Sequence, residues 1–191
     1  MDERGRPIID TLTGSFLLST PQMPDPRFSE QVIYICSHGY EGAVGIAVNK
    51  PNPILDLEEV LLTNNLPVPP GFSAPVYMGG PVEQNSAFIL YQSDYVTEHH
   101  LEVSPTVYLT RNTSVLEDIS RERGPEKFLF AVGYAGWGPG QLEQELVSQG
   151  WITIPALDSI IFDVPDEEKW RQAAAINGID ISIFQDHIGY A

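Results

Sequence analysis

An α+β fold in a single domain is predicted by three observations. Apolar runs rich in β-branched residues recur along the chain, and helical patterns interrupt them at irregular intervals, so the regular alternation of a doubly wound sheet is absent. The 191 residues lie within the size of one domain, and 42% of them are hydrophobic, which is enough to bury a substantial core. No internal repeat or low-complexity tract divides the chain.

Residues 1 to 13 lack periodicity and read as a loose arm before a domain spanning 14 to 191. Gly14 to Ser19 reads as a first strand, ended by Pro21. Val32 to Cys36 is a continuous apolar run, the pattern of a strand covered on both faces, and Ala43 to Val48 repeats it after a turn cluster of hairpin length. Asp56 with Glu59 opens a short helix that cannot pass Asn64 and Asn65. Three prolines then make 66 to 71 an irregular crossing loop.

Pro75 to Met78 and Ala87 to Tyr91 read as strands on either side of a turn at Gly79, Gly80 and Pro81, and Ser93 to His100 as polar connection. Thr106 to Thr110 is a further strand. Ser114 with Glu117 makes a capping box for a helix stopped by Gly124 and Pro125. Phe128 to Val132 is a buried strand that leads into a glycine run and a helix over Gln141 to Ser148, closed by Gly150. Trp151 to Ile154 and Ile160 to Phe162 are short apolar segments, and Asp166 to Ala175 is a last amphipathic helix carrying Trp170.

Composition excludes several classes of function. Ten basic residues against 26 acidic ones give a formal charge of −16, a repulsive field for phosphate backbones and anionic lipid headgroups, so neither nucleic acid nor membrane is expected as a direct partner. No segment approaches the roughly 18 consecutive apolar residues that span a bilayer. Cys36 is the only cysteine, which rules out an internal disulfide and fits the cytoplasm, and no signal-peptide pattern is present near the start.

Chemistry is most concentrated between Gly133 and Glu143, where four glycines surround Trp137. The run reads as a specified joint between a strand and a helix, because glycine is selected where backbone turns with positive φ or approaches another group closely. Two readings are open: a tight joint packing Tyr134 and Trp137 on a neighbouring strand, or a ligand cleft lined by Tyr134, Trp137 and Gln141, with Glu143 accepting from a donor on the ligand. Backbone N–H groups at the helix start suit an anion, but Glu143 and Glu145 oppose one, and the lysine of a phosphate-binding loop is missing. Asp25 lies in a stiff loop between Pro24 and Pro26 that Phe28 anchors in the core, and Asn49 follows a buried strand; both are turn formers or polar groups of the same cleft.

These motifs, namely Met23, Asp25, Pro26 and Phe28, then Gly79 to Glu83, then the glycine run, resemble the AlgH/YqgE family of bacterial proteins over about residues 14 to 188. The resemblance implies a mixed sheet bent into an open, barrel-like shape and flanked by several short helices. It also implies an association with transcriptional control, which the charge makes indirect. The chain departs from the family pattern at Lys50, where many members have arginine, and at Tyr190, where many have histidine.

The expected function is therefore a non-enzymatic cytosolic binding or regulatory protein. Its candidate cleft comprises Asp25, Asn49, Gly80, Tyr134, Trp137, Gln141 and Glu143, and it takes a small molecule or a protein partner, with no cofactor and no metal. The alternative is a hydrolase or thiol-based redox enzyme using Glu143 or Cys36, the latter paired with His38 two residues on. Against it, Cys36 ends an apolar run, as a small buried hydrophobe would. His99 and His100 have no metal-ligand spacing. The exposed ends of an incomplete sheet also allow a homo-oligomer.

Overall fold

A computed structural model describes residues 11–21, 23, 25–148 and 150–180, and in it ten strands form one curled sheet. β1 (Ser15–Ser19), β2 (Val32–Gly39) and β3 (Gly42–Ala47) are antiparallel neighbours, and β10 (Trp151–Pro155) pairs with the other side of β1. β9 (Phe128–Trp137) joins them to β6 (Val82–Gln92), β8 (Val107–Thr110) and β7 (His100–Glu102). The order is β10-β1-β2-β3-β9-β6-β8-β7, with β4 (Pro51–Asp56) and β5 (Pro75–Met78) in a side branch. β5 runs parallel to β9, and the other pairings are antiparallel. The helices are α1 (Leu57–Thr63), α2 (Ser114–Ser120), α3 (Gln141–Val147), α4 (Asp158–Phe162) and α5 (Asp166–Ile176). The fold is α+β, with a half-barrel sheet and short helices around it.

The period-two rule of strands explains how one sheet carries three cores. In β2, Val32, Tyr34 and Cys36 face the concave interior, while Ile33 and Ile35 face the opposite side, so the strand is covered on both faces as its sequence predicts. The interior is closed by α4 and α5 through Ile160, Ile161, Trp170, Ala173 and Ala174. On the other face, α1 and α2 cover one half around Phe130 and Ile89. The remaining half lies under Leu142 of α3, with Phe28 and Met23 packed at its margin.

α5 is held by side chains that end at backbone carbonyls of β1 and of the residue after β3. The buried Lys169 Nζ donates to the Val48 carbonyl at 2.7 Å and pairs with Asp166 at 2.7 Å, and the Trp170 indole donates to Ser19 O at 3.0 Å. The Tyr77 hydroxyl donates to the same Asp166 at 3.0 Å. Burial, then the Asp166 charge, pushes the Tyr77 phenol up, while burial lowers Lys169 against the pull of Asp166.

β9 organises the sheet. Phe130 to Val132 lie beside β5 on one edge, and Ala135 to Trp137 lie beside β3 on that same edge. Between the two partners Gly133 adopts φ +71, and the pairing with β6 loses register between Val82 and Ala87. The gap is closed by Gly79, whose N–H donates to Val132 O and whose carbonyl accepts from the Ala47 N–H, both at 2.9 Å. Gly80 then lies against the Tyr134 peptide so closely that a Cβ would overlap it. The paired glycines are therefore a backbone-on-backbone seam.

Several local expectations need correction. The strand read as Phe128 to Val132 continues through the glycine run to Trp137, because the bulge at Gly133 bends it without ending it. β6 likewise starts at Val82, five residues before its apolar stretch. β4 contains Pro51 and Pro53, which hid it, and pairs with β5 only irregularly, as proline-bearing edge strands do. The N-cap of α2 is Thr113 without a side-chain bond, while Asn112 Oδ1 accepts from the Ser114 N–H at 3.0 Å; the expected capping box is absent. Ile160 and Ile161 lie in a helix, α4. Of the arm assigned to residues 1 to 13, residues 11 to 13 are described and bonded to His38, and residues 1 to 10 lie outside the described range. Tyr190 also lies outside it.

A Cβ at Gly133 would collide with the Gly80 carbonyl and approach Val82 O at 2.9 Å, in a backbone region that favours glycine. Gly133→Ala is expected to lower stability by about 3 kcal/mol, combining roughly 1–3 kcal/mol of backbone strain with the overlap. Gly71→Ala, at φ +73 in open space, is expected to cost only about 1 kcal/mol. Urea unfolding of both variants measures the difference.

Candidate functional site

Where β9 ends and α3 begins, a cleft of about 410 Å³ opens between the end of the strand, the helix and the loop around Met23 to Phe28. Trp137 leads into the turn Gly138–Gly140, and Gly140 at φ +72 starts α3 without a side-chain cap. Gln141 and Glu145 of α3 and Ser148 at its C-cap follow one stripe at spacings of four and three, and all three line the cleft. The opposite wall holds Trp151, Phe28 and Met23, and Pro81 stands at the rim.

Glu145 is the hub of the cleft. Its Oε2 accepts from the Trp137 indole at 2.9 Å and from the Trp151 indole at 3.0 Å, while Oε1 accepts from the Gln141 amide at 2.9 Å. Gln141 Oε1 in turn accepts from the Gly138 N–H at 3.0 Å, which ties the glycine turn into the same network. Hydrogen bonds to a charged group contribute roughly 1.5–3 kcal/mol each, so three of them outweigh the partial desolvation of a half-buried carboxylate. The two indoles meet edge to face at 6.4 Å and 82°, and Phe28 meets Trp151 at 6.0 Å and 66°.

The structure brings together most of the motifs singled out in the sequence. Asp25, Trp137 and Gln141 line this cleft, and the Gly79–Gly80–Pro81 segment reaches it through Pro81. Gly80 itself is spent in the seam against Tyr134. Tyr134 lines a shallower depression of about 380 Å³, which shares Gly136 and Trp137 with the cleft. Asn49 stands apart: its Oδ1 accepts from Val32 N–H at 2.9 Å and its amide donates to Glu30 O at 2.8 Å, which anchors the start of β2. Lys50 donates to Ser29 O at 2.9 Å, and Glu83 pairs with Arg111 at 2.7 Å. The helix start is not an open cradle of donors, since the Gly138 N–H is taken by Gln141 Oε1 and the Gln141 N–H by Gly138 O.

Glu143 occupies a different position from Glu145. Its Oε1 lies 3.0 Å from His38 Nε2, on the side of α3 away from the cleft, and the Leu12 N–H donates to His38 Nδ1 at 3.0 Å. A backbone N–H only donates, so Nδ1 carries the lone pair and the ring hydrogen sits on Nε2, aimed at Glu143. A bond from its own backbone N–H, then His38, holds the Glu143 carboxyl below the ordinary range. Sequence reasoning noticed Glu145 only as an obstacle to anions; the signal that finds it is its spacing of four from Gln141 and its proximity to two tryptophans.

Cys36 and His38 do not share a face, because β2 shifts register between Ile35 and Ser37. The Cys36 thiol points into the concave core and donates to Tyr34 O at 3.5 Å, and burial pushes its pKa up. Among the described residues no group of three metal-ligating side chains converges, and no helix is long and apolar enough to cross a membrane.

The model of a protein family described as AlgH-like matches residues 16–182. The chain belongs to that family. Its relatives include a UPF0301 protein of Desulfotalea psychrophila, 43% identical over 182 residues that cover 95% of this chain and 96% of the relative. Another is a UPF0301 protein of Ruegeria pomeroyi, 42% identical, covering 94% and 99% respectively. The solution structure of the AlgH protein from Pseudomonas aeruginosa superposes with a TM-score of 0.76 at 35% identity, over 97% of this chain and 99% of that one. Protein DIP2367 from Corynebacterium diphtheriae shares the fold at 19% identity, with a TM-score of 0.72 over 95% of each chain. The half-barrel is thus the family's architecture.

Glu145→Ala leaves two buried indole N–H groups without acceptors, and a loss of about 2–4 kcal/mol is expected by urea unfolding, with Glu145→Gln losing less than half of that. For Glu143 the sign follows from its lowered pKa. Its contribution is complete above the ordinary value of 4.5 and is lost as pH falls through the folded-state value. Glu143→Gln is therefore expected to shrink the drop in Tm between pH 7 and pH 3, by a small amount because half of the Glu143 side chain is exposed.

Proposed function

We propose that this member of the AlgH-like family is a non-enzymatic cytoplasmic binding protein, acting on its regulatory target through a ligand held in the cleft between β9, α3 and the Met23–Phe28 loop. One observation carries the reading: the Glu145 carboxylate fixes Trp137, Trp151 and Gln141 before any ligand arrives. Preorganised walls lower the ordering cost of binding, and the volume of about 410 Å³ suits a small molecule or a single side chain of a partner.

The enzymatic alternatives have less support. A thiol mechanism needs a thiolate, and the Cys36 thiol is buried with its pKa raised. Glu143 points away from the cleft toward His38, and Ser148, the hydroxyl at the cleft wall, donates from the C-cap of α3 to Glu145 O at 2.8 Å. The charge of −16 makes any effect on transcription indirect.

A thermal-shift screen against nucleotides, phosphosugars, amino acids, thiols and amines tests the proposal. A ligand at about 100 times its Kd stabilises by roughly 2.7 kcal/mol. At least one class is expected to raise Tm, and Trp137→Ala is expected to abolish the rise. Silence across the panel, or a rise that survives Trp137→Ala, would remove the cleft as a small-ligand site.

A further inference from the structure

We propose that the ligand class of this cleft is an organic cation: an alkylated ammonium seated in the corner made by Trp137, Trp151 and Phe28, with Glu145 as its counter-charge. The inference rests on the cleft being a binding site and adds the chemistry of what enters it.

The shape comes first. Three aromatic rings stand nearly perpendicular in sequence, at 82° and 66°, with centroids 6.4 and 6.0 Å apart. An edge-to-face contact covers one face of one ring only, and a ring face that lines a cavity attracts cations through its negative quadrupole. Trp137, Trp151 and Phe28 all line the cavity, and Met23 extends the apolar wall.

The charge is the second observation and is independent of the first. Glu145 is held by two indoles and an amide, all neutral donors, and none of the described ion pairs engages it. Neutral donors fix the carboxylate in place and leave its charge uncancelled. They also polarise the indoles: an N–H bonded to an anion pushes electron density back into its ring, which strengthens the pull on a cation over that ring. Glu145 brings a carboxylate to the lining, and the chain as a whole carries −16. An anion entering here meets repulsion, and a neutral ligand leaves the field unused.

Alkylation follows from the apolar walls. A bare ammonium is compact and strongly hydrated, so Met23 and Phe28 could not replace its water, whereas methyl groups on nitrogen spread the charge over a surface that those side chains can contact.

The probe pair is choline and 3,3-dimethylbutan-1-ol, which have the same shape and differ by the charge. The chloride counter-ion is matched with sodium chloride, and binding is read on the ¹⁵N-labelled protein from the three indole N–H resonances. Trp170, bonded to Ser19 O on the far side of the sheet, is the internal control. Choline is expected to shift the Trp137 and Trp151 resonances, leave Trp170 in place, and bind at least about tenfold more tightly than the alcohol, equivalent to about 1.4 kcal/mol. Glu145→Gln is expected to remove most of that preference. Equal binding of the two probes overturns the cation assignment while keeping the cleft as a ligand site. Indole resonances that stay fixed at high millimolar choline overturn it as well, and whether the site itself survives is then decided by the Trp137-dependent thermal shift.

Discussion

Everything at the candidate site depends on one slipped residue in β9. Before Gly133, Leu129 and Ala131 face the concave core, while Phe130 faces the helices outside. An unbroken strand would then put residues 135 and 137 in the concave core too. Instead Tyr134 packs on that core, and Ala135 and Trp137 belong to the outer cluster under α3. The left-handed backbone at Gly133 adds the odd residue that exchanges the faces, which is what a bulge does to a strand. The Trp137 indole meets α3, and therefore Glu145, only because of that exchange.

The exchange has a structural consequence on the other edge of the strand. β9 changes partner there from the parallel β5 to the antiparallel β3, and no single strand can pair with both halves. Gly79 fills the junction with two backbone hydrogen bonds, and Gly80 comes too close to Tyr134 for any side chain. Two glycine motifs some fifty residues apart in sequence thus serve one seam. Glycines stabilise a seam poorly, because they contribute no side-chain contacts and lose the most backbone freedom on folding. The local compensation is polar: the Gly138 turn, Gln141, Glu145 and two indoles form one connected network beside the seam.

Much of this architecture was legible in the sequence, and the exceptions have identifiable causes. The irregular mix of strands and helices predicted an α+β domain, and the continuous apolar run Val32 to Cys36 predicted a strand with two covered faces. The glycine run announced a special backbone, yet its first five residues are strand, because glycines that mark a bulge and glycines that mark a loop look alike in sequence. Pro51 and Pro53 concealed β4 for the same kind of reason: propensity describes a regular ladder, and β4 is an irregular edge. At the site, Asp25, Trp137 and Gln141 were legible by residue type. Which glutamate faced the cleft was not, since Glu143 and Glu145 are two apart on a helix and about 200° separates them. Only the strand's exit angle, set by the bulge and the Gly140 turn, decides that Glu145 faces inward and Glu143 faces His38.

The two glutamates show how one short helix separates two tasks. Glu143 meets the His38 ring, whose other nitrogen receives the Leu12 N–H, so it fastens the chain before β1 to α3 through a neutral imidazole. Glu145 meets only neutral donors, and its charge is left facing a hollow walled by aromatic rings. A glutamine at position 145 would accept from the indoles with its one oxygen but turn a donating amide toward Gln141, so the carboxylate is the better partner for three donors. The same carboxylate brings a negative charge to the wall of the hollow, which is the field that the proposed cation would meet.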